Sequence, residues 1–122
     1  MLKRTEGSKR YDLEERTYQF AKDIRALVKT LPRTIANEED TRQLLRASGS
    51  VGANYIEACE SLSKKDFVMR VKISRKEAKE SRFWLRLIDS GERESVDTTR
   101  DALMQEATEL MNIFGAIVRK SE

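Results

Sequence analysis

The hydrophobic side chains of this chain recur every three or four residues over four long stretches. Because an α-helix turns once every 3.6 residues, this spacing places them along one face of a helix. The breaks between the stretches are short, which favours antiparallel neighbours, so the pattern predicts an all-α, up-down antiparallel four-helix bundle with a single domain over residues 11–120. The predicted core positions are Leu13, Thr17, Phe20, Ile24, Leu27 and Leu31; Leu44, Ser48, Val51, Tyr55, Ala58 and Leu62; Phe67, Val71, Ser74, Ala78, Ser81, Leu85 and Ile88; and Leu103, Ala107, Leu110, Phe114 and Ile117.

Capping residues and helix breakers set the predicted helix boundaries. Residues 1–10 precede the first boundary, are rich in charge, and are expected to form a flexible segment. The first helix is predicted to have Asp12 as its N-cap and to stop at Pro32. The second is predicted to be capped by Asn37 with Asp40 and to end near Ser61. The third is predicted to be capped by Ser63 with Asp66 and to end near Gly91, and the fourth to start between Ser95 and Thr98.

A second stripe on the third predicted helix is basic. Residues 64–86 hold nine Lys or Arg against three Asp or Glu, although the whole chain has a formal charge of only +3. Cations aligned within about one third of the helix circumference would neutralise phosphates and bind RNA or DNA without reading its bases. An equally open interpretation is a solvated face balanced by acidic neighbours. The basic stripe consists of Lys72, Arg75, Lys76, Lys79, Arg82 and Arg86.

A third face of the same helix is apolar and lies away from the basic stripe. One apolar face is enough to pack a helix inside a monomer, so a second one predicts self-association through a homo-oligomer interface. Packing within the same bundle is the alternative for Trp84. The predicted interface residues are Met69, Ile73, Trp84 and Leu87.

The second predicted helix contains two internal glycines, Gly49 and Gly52. Each costs about 1 kcal/mol relative to alanine, which indicates that another helix approaches closely there. A polar line runs beside them, and it predicts an interhelix hydrogen-bond network that fixes the register, with a ligand site as the alternative. The predicted network is Gln43, Arg46, Ser50, Asn54 and Glu57, together with Glu77 and Glu80 of the third helix.

The composition limits the kinds of functional site that the chain can form. Without histidine, imidazole bases and His-liganded metals are excluded, and Cys59, the single cysteine, is expected to be a small buried hydrophobe rather than a nucleophile. Paired glutamates three residues apart leave a carboxylate metal site as a remote alternative. No run reaches the roughly 18 apolar residues of a membrane span, and no signal-peptide core is seen near the N-terminus. We therefore expect a cytoplasmic protein that is not an enzyme and has no cofactor.

Two blocks of the sequence carry a family resemblance. Residues 46–58, with Arg46-Ala47, Ser50-Val51, Ala53-Asn54-Tyr55 and Glu57, and residues 76–87, KEAKESRFWLRL, together resemble the 23S rRNA intervening-sequence protein family over residues 11–118. Many members have Ala-Glu-Gly where this chain has Ile56-Glu57-Ala58. The resemblance implies a homo-oligomeric four-helix bundle, a pentameric ring, in the cytoplasm. A distantly similar group, the accessory variability proteins of diversity-generating retroelements, binds nucleic acid and a reverse transcriptase through such a ring.

Three functions follow from these observations. The first is a non-enzymatic homo-oligomer whose basic stripe binds RNA or DNA. The second is a protein–protein adaptor or scaffold that docks an acidic partner and does not bind nucleic acid. The third and most remote is a protein that binds a metal through paired carboxylates. Salt-dependent binding of generic RNA would separate the first two, and metal analysis would decide the third.

Overall fold

The structure is a computed structural model that describes the backbone of residues 6–122 and the side chains from residue 12 onward. Four helices account for most of this range: α1 (Glu6–Val28), α2 (Ile35–Cys59), α3 (Lys64–Leu87) and α4 (Glu94–Ser121). No strand occurs in the described range, so the predicted all-α class with four helices is confirmed.

Each helix packs against two others around a shared core. Contacts join α1 to α2, α2 to α3, α3 to α4 and α4 to α1, and within the described residues neither diagonal pair approaches within 8 Å between Cα atoms. The core is formed by side chains from all four helices, because each predicted apolar face turns inward. Its largest fully buried hydrophobic members are Phe20, Ile24, Leu44, Val51, Val71, Leu85, Leu110 and Phe114.

The prediction that Asp12 caps α1 is wrong. The helix already begins at Glu6, so Asp12 lies inside it. The sequence before Asp12 contains no proline to stop the helix, and the helix continues through it. The segment 1–10, which was predicted to be flexible, lies partly outside the described residues, and residues 6–10 belong to α1. At its other end α1 stops at Val28, four residues before Pro32.

The N-cap of α2 is Thr34, not Asn37. The Thr34 side chain accepts a hydrogen bond from the backbone N–H of Asn37 at 3.1 Å. Asn37 is 3% exposed and holds the end of α3 instead: its Nδ2 donates to the carbonyl oxygens of Pro32 and Asp89, and its Oδ1 accepts from the N–H of Asp89, each at 2.9 Å. The residue predicted to be a local helix cap therefore forms long-range hydrogen bonds that connect the start of α2 to the end of α3.

The connection between α3 and α4 also differs from the prediction. The prediction of Ser63 as the N-cap of α3 is confirmed, since its side chain accepts from the N–H of Asp66 at 3.1 Å. The helix ends at Leu87, and the predicted end near Gly91 is wrong because Gly91 lies in the following turn, at φ 71°. The fourth helix begins at Glu94, slightly before the predicted start.

Three predicted core positions are not fully buried, and one of them is Phe67, which lies in the first turn of α3 and is only partly buried against the core. Leu62 is fully exposed, because α2 ends at Cys59 and Leu62 lies in the connection to α3. On α4 the fully buried residue of the last turns is Val118, and Ile117 is only partly buried against the core. All three errors come from extending the helical period to a helix end, where the chain direction or the packing changes.

Candidate nucleic-acid interface on α3 and α4

Packing of α3 fixes which of its faces meets solvent. Val71, Ala78 and Leu85 are fully buried, and the buried Ser74 hydroxyl donates to the carbonyl oxygen of Val51 on α2 at 2.9 Å. Residues seven positions apart lie on the same side of a helix, so the burial of these three side chains fixes how α3 is rotated about its own axis. The basic stripe therefore lies on the outer side of α3, toward α4.

Five of the six residues of the basic stripe are exposed, and Arg75 is half-buried. Two of the lysines have an acidic partner: Lys72 Nζ lies 3.6 Å from Glu122 Oε2, and Lys76 Nζ lies 3.9 Å from Glu80 Oε2. Both pairs are exposed and long, so each contributes little to stability. The stripe residues without a carboxylate within 4.0 Å, among the described side chains, are Arg75, Lys79, Arg82 and Arg86.

A seventh cation, which the sequence reasoning missed, joins the basic stripe from α4. A Cβ placed on the buried Gly115 would lie 3.8 Å from Arg75 Nη1 and 3.3 Å from Arg119 Nη1. The two arginine side chains, from different helices, therefore both lie within 4 Å of one position above Gly115. The only signal in the sequence was a glycine inside α4 with an arginine one turn later.

The side of α4 next to the basic stripe carries no acidic residue between Met104 and Arg119. Within about 60° of Gly115 on the helical projection, the intervening residues are Thr108, Met111, Asn112 and the buried Val118. Acidic residues of this part of α4 point toward α1: Arg16 donates to Glu106 at 2.7 and 2.8 Å and to Glu109 at 2.7 Å. The positive field of the stripe is therefore not offset along the middle of α4.

The predicted polar network between α2 and α3 is formed in part. Arg46 Nη1 lies 3.3 Å from Glu77 Oε2, and Arg46 Nη2 lies 3.3 Å from Glu80 Oε1. Glu77 is 8% exposed, so this arginine balances a buried charge. The pairing fixes α2 against α3, and Glu80 also lies 3.9 Å from Lys76 of the basic stripe.

The rest of the predicted network has other partners. Asn54 Oδ1 accepts from Arg70 Nη1 at 3.1 Å, and Asn54 Nδ2 donates to the carbonyl oxygen of Ser50 at 2.9 Å. Gln43 and Glu57 are exposed, and their side chains form no hydrogen bond with other described residues. Arg70, which was not in the predicted set, is thus the second cation that links these two helices.

The predicted oligomer interface divides into an outer and an inner part. Met69 and Leu87 are each 51% exposed, whereas Ile73 and Trp84 are half-buried, and Trp84 packs against the core. Phe83 is 54% exposed and meets the Trp84 ring edge-on at 5.1 Å between centroids. Apolar surface therefore remains uncovered on α3 beside the basic stripe.

The glutamate pairs three residues apart are Glu57 with Glu60, Glu77 with Glu80 and Glu106 with Glu109, and the last two pairs are held by arginine. Arg16 donates to both Glu106 and Glu109, and its hydrogen bond to Glu106 is the main cause of the raised pKa of Arg16. Glu77 and Glu80 bind Arg46. Within the described residues no cluster of three or more His, Cys, Asp or Glu side chains is placed to hold a metal ion. Cys59 is a free thiol and is half-buried rather than fully buried.

The comparisons with known proteins identify the family. Residues 9–116 match the model of the 23S rRNA-intervening sequence protein family, and the chain belongs to that family. The crystal structure of a protein of unknown function from the S23 ribosomal protein family of Bacteroides thetaiotaomicron has the same fold, with a TM-score of 0.71 and 28% identity over 87% of this chain and 97% of that one. No curated protein matches the sequence. None of the helices in the described part of the chain is long and apolar enough to cross a membrane.

Proposed function

We propose that this protein is a cytoplasmic, non-enzymatic homo-oligomer that binds the phosphate backbone of RNA or DNA through the basic stripe of α3. The subunit in this proposal is an up-down antiparallel four-helix bundle, and the assembly is a ring, with five subunits as the expected number. No cofactor takes part. The name of the family refers to ribosomal RNA genes, but the proposal rests on the charges of this chain.

The observation that carries the proposal is the set of exposed cations without an acidic partner. Lys79, Arg82 and Arg86 are exposed and have no carboxylate within 4.0 Å among the described side chains. A face that is merely solvated would gain stability from alternating charges, as at Lys76 and Glu80. Like charges along one helix instead repel each other, and binding of a polyanion relieves that repulsion.

The length of the basic stripe suits a short piece of nucleic acid. From residue 72 to residue 86 a helix rises about 21 Å, which corresponds to about six nucleotide steps of one strand in a duplex. Lysines and arginines on a helix surface contact phosphates without reading base edges, so binding should depend little on sequence. Phe83, exposed beside Lys79 and Arg86, offers a ring on which an unpaired base can stack.

The contacts between neighbouring helices support the proposed topology. Thr17 of α1 meets Gly52 of α2, whereas Arg25, further along α1, donates to the carbonyl oxygen of Leu45, which lies earlier in α2. Later residues of one helix thus contact earlier residues of the next, as expected for antiparallel neighbours. The same holds between α2 and α3, between α3 and α4, and between α4 and α1. Uncovered apolar side chains on α3, Met69 and Leu87, support self-association.

Fluorescence anisotropy with a labelled 20-nucleotide RNA tests the proposal. We expect the affinity to fall steeply between 50 and 200 mM salt, as counterion release requires (about 10³-fold or more for six contacts). Replacing Lys79, Arg82 and Arg86 together with glutamine should abolish binding at 50 mM salt and leave the helicity and the oligomer mass unchanged.

The matched control removes three positive charges elsewhere. Lys29 and Arg33 lie in the connection between α1 and α2, and Arg42 lies on α2; all three are exposed and form no ion pair with a described residue. Their replacement by glutamine should weaken binding only slightly. Equal losses in both triple variants would show an effect of net charge rather than a site. No binding by the unaltered protein at 50 mM salt would overturn the proposal and favour the adaptor that docks an acidic protein.

A further inference from the structure

We propose that Arg75 and Arg119 form a two-armed anion site above Gly115, which binds one phosphate group of the nucleic-acid backbone. This inference rests on the proposed function, because the phosphate is one of those in the bound strand. It goes further in assigning one phosphate to a defined pair of residues on two different helices, while the other cations of the stripe act singly.

Gly115 creates the space for this site. It is buried inside α4, and a Cβ at this position would lie 3.3 Å from Arg119 Nη1 and 3.8 Å from Arg75 Nη1. A glycine in the middle of a helix costs about 1 kcal/mol relative to alanine. The three nearest atoms outside the local backbone of α4 all belong to Arg119 and Arg75, so the absent side chain gives room to these two arginines.

The charges at this point are not balanced by the protein. Both guanidinium groups lie near one position, and no carboxylate among the described side chains lies within 4.0 Å of either. Glu122, the acidic residue at the end of α4, pairs with Lys72 instead. Two like charges this close raise the free energy of the protein, and an anion between them removes the repulsion.

Guanidinium groups are suited to phosphate in particular. Each presents several N–H donors in a plane, which allows two parallel hydrogen bonds to the oxygens of a phosphate group. Arg75 is half-buried between α3 and α4, so its charge is less screened by water than that of the exposed lysines. The phosphate held here should therefore contribute more to affinity than a phosphate next to Lys79.

The site also fixes where the nucleic acid starts on the surface. It lies at the end of the stripe nearest the C-terminus of α4, and Lys79 follows Arg75 one turn along α3. A strand held at Arg75 and Arg119 can continue along Lys79, Arg82 and Arg86. The adjacent side of α4 carries no acidic residue between Met104 and Arg119, so this part of α4 does not repel the strand.

Binding of the 20-nucleotide RNA to single and double variants tests the site. Arg75→Gln and Arg119→Gln should each weaken binding roughly tenfold or more, and the double variant should be little weaker than either single one, because both arms hold one phosphate. Arg75→Lys should recover only part of the affinity. Additive losses with full recovery by lysine would show two independent charges and overturn the inference.

A charge-neutral variant separates geometry from charge. Gly115→Leu fills the space where the two arginines meet, so it should weaken RNA binding about as much as Arg119→Gln while the net charge stays the same. If that variant does not fold, Gly115→Ala serves: it moves Arg119 by a few tenths of an ångström, raises helix propensity and should still reduce affinity. Unchanged affinity in a folded Gly115 variant would overturn the inference.

Titration with inorganic phosphate distinguishes failure of the site from failure of the proposed function. The Nε–Hε NMR signals of Arg75 and Arg119 should shift with phosphate more than those of Arg33 and Arg42, which are exposed and have no described ion pair. If phosphate shifts these signals but the RNA does not bind, the anion site is supported and the proposed binding of nucleic acid is rejected. RNA binding without selective phosphate shifts, and with no loss in the arginine variants, would reject the site alone.

Discussion

Among the glycines from residue 12 onward, Gly52 of α2 makes the closest interhelix contact, with Thr17 of α1. A Cβ on Gly52 would lie 2.8 Å from Thr17 Oγ1 and 3.1 Å from Thr17 Cβ. Thr17 is only 1% exposed, and its hydroxyl donates to the carbonyl oxygen of Glu14 at 2.9 Å, so it has little freedom to move. The close approach predicted from the glycine in α2 is confirmed at this position.

Gly52→Leu should lower the thermal midpoint strongly, although leucine has the better helix propensity. The added side chain would force α1 away from α2, and overpacking of this kind typically costs about 1–3 kcal/mol. Thermal or urea unfolding followed by circular dichroism measures the effect. Thr17→Ala should restore part of the loss in the double variant, because it removes Oγ1 but keeps Cβ. A higher midpoint for Gly52→Leu would show that the contact does not limit the helix separation.

Gly49 is the matched control for this contact. It lies one turn before Gly52 on the same helix, and a Cβ there would meet only Arg25 Nη2, at 3.4 Å. That atom is the end of a long exposed side chain and can give way. Gly49→Ala should therefore stabilise the protein by up to about 1 kcal/mol, the ordinary gain in helix propensity. A loss at Gly49 like that at Gly52 would argue against the explanation by close approach.

Periodicity predicted the four helices because every helix has one face that must be buried, and that requirement is local in sequence. Asn37 shows where such reasoning fails. An asparagine followed three residues later by an acidic residue resembles a helix cap, yet its partners Pro32 and Asp89 lie in two loops, one of them 52 residues away. Only the assembled fold brings these loops together, so no local pattern contains the information.

Asn37→Asp should destabilise the protein increasingly as the pH rises. An aspartate here would face the carbonyl oxygens of Pro32 and Asp89 in a buried site, which disfavours the charged form and raises its folded-state pKa. A carboxyl whose pKa is raised on folding binds more protons in the folded state, so stability falls as pH rises from about 4, the unfolded pKa, to the folded pKa.

The pH dependence is read from urea unfolding between pH 4 and 8, relative to the unaltered protein. Asn37→Leu is the comparison: it loses the same hydrogen bonds, about 2–4 kcal/mol in all, with no added dependence on pH. Thr34→Ala, which removes only the N-cap of α2, should cost about 1 kcal/mol. Parallel curves for the Asp and Leu variants would contradict the raised pKa.

The candidate site was predictable to the extent that it lies on one helix. The six cations of the basic stripe follow from the period of α3, and their role in binding stays a prediction. Arg119 was missed because its meeting with Arg75 depends on the packing of α4 against α3. Likewise Arg46 was expected near Glu77, but the pairing of Arg70 with Asn54 depends on the exact register of the two helices.

The pKa of Glu109 should be lower than its ordinary value of 4.5, first because Gln105 donates a hydrogen bond to it and second because Arg16 does. A carboxylate with a lowered pKa stabilises the fold above its unfolded pKa, and this contribution is lost as pH falls through the folded pKa. Carboxyl ¹³C NMR titration should show the pKa of Glu109 rising in Gln105→Ala and in Arg16→Gln, since each variant removes a hydrogen bond to the carboxylate. An unchanged pKa in both variants would contradict these contacts.

Leu87→Glu combined with Met69→Glu should dissociate the proposed oligomer and leave the monomer folded. Both side chains are half exposed, so a charge on each meets water in the monomer but would be buried in an interface. Light scattering should give a mass several times 14.1 kDa for the unaltered protein and 14.1 kDa for the double variant, with equal helicity. Tyr18→Glu, at a residue 57% exposed on α1, is the control and should keep the assembly.

Trp84→Glu is less informative because Trp84 also packs against the core, and Phe114→Ala should cost about 3–5 kcal/mol without dissociation. A monomeric mass for the unaltered protein at micromolar concentration would reject self-association.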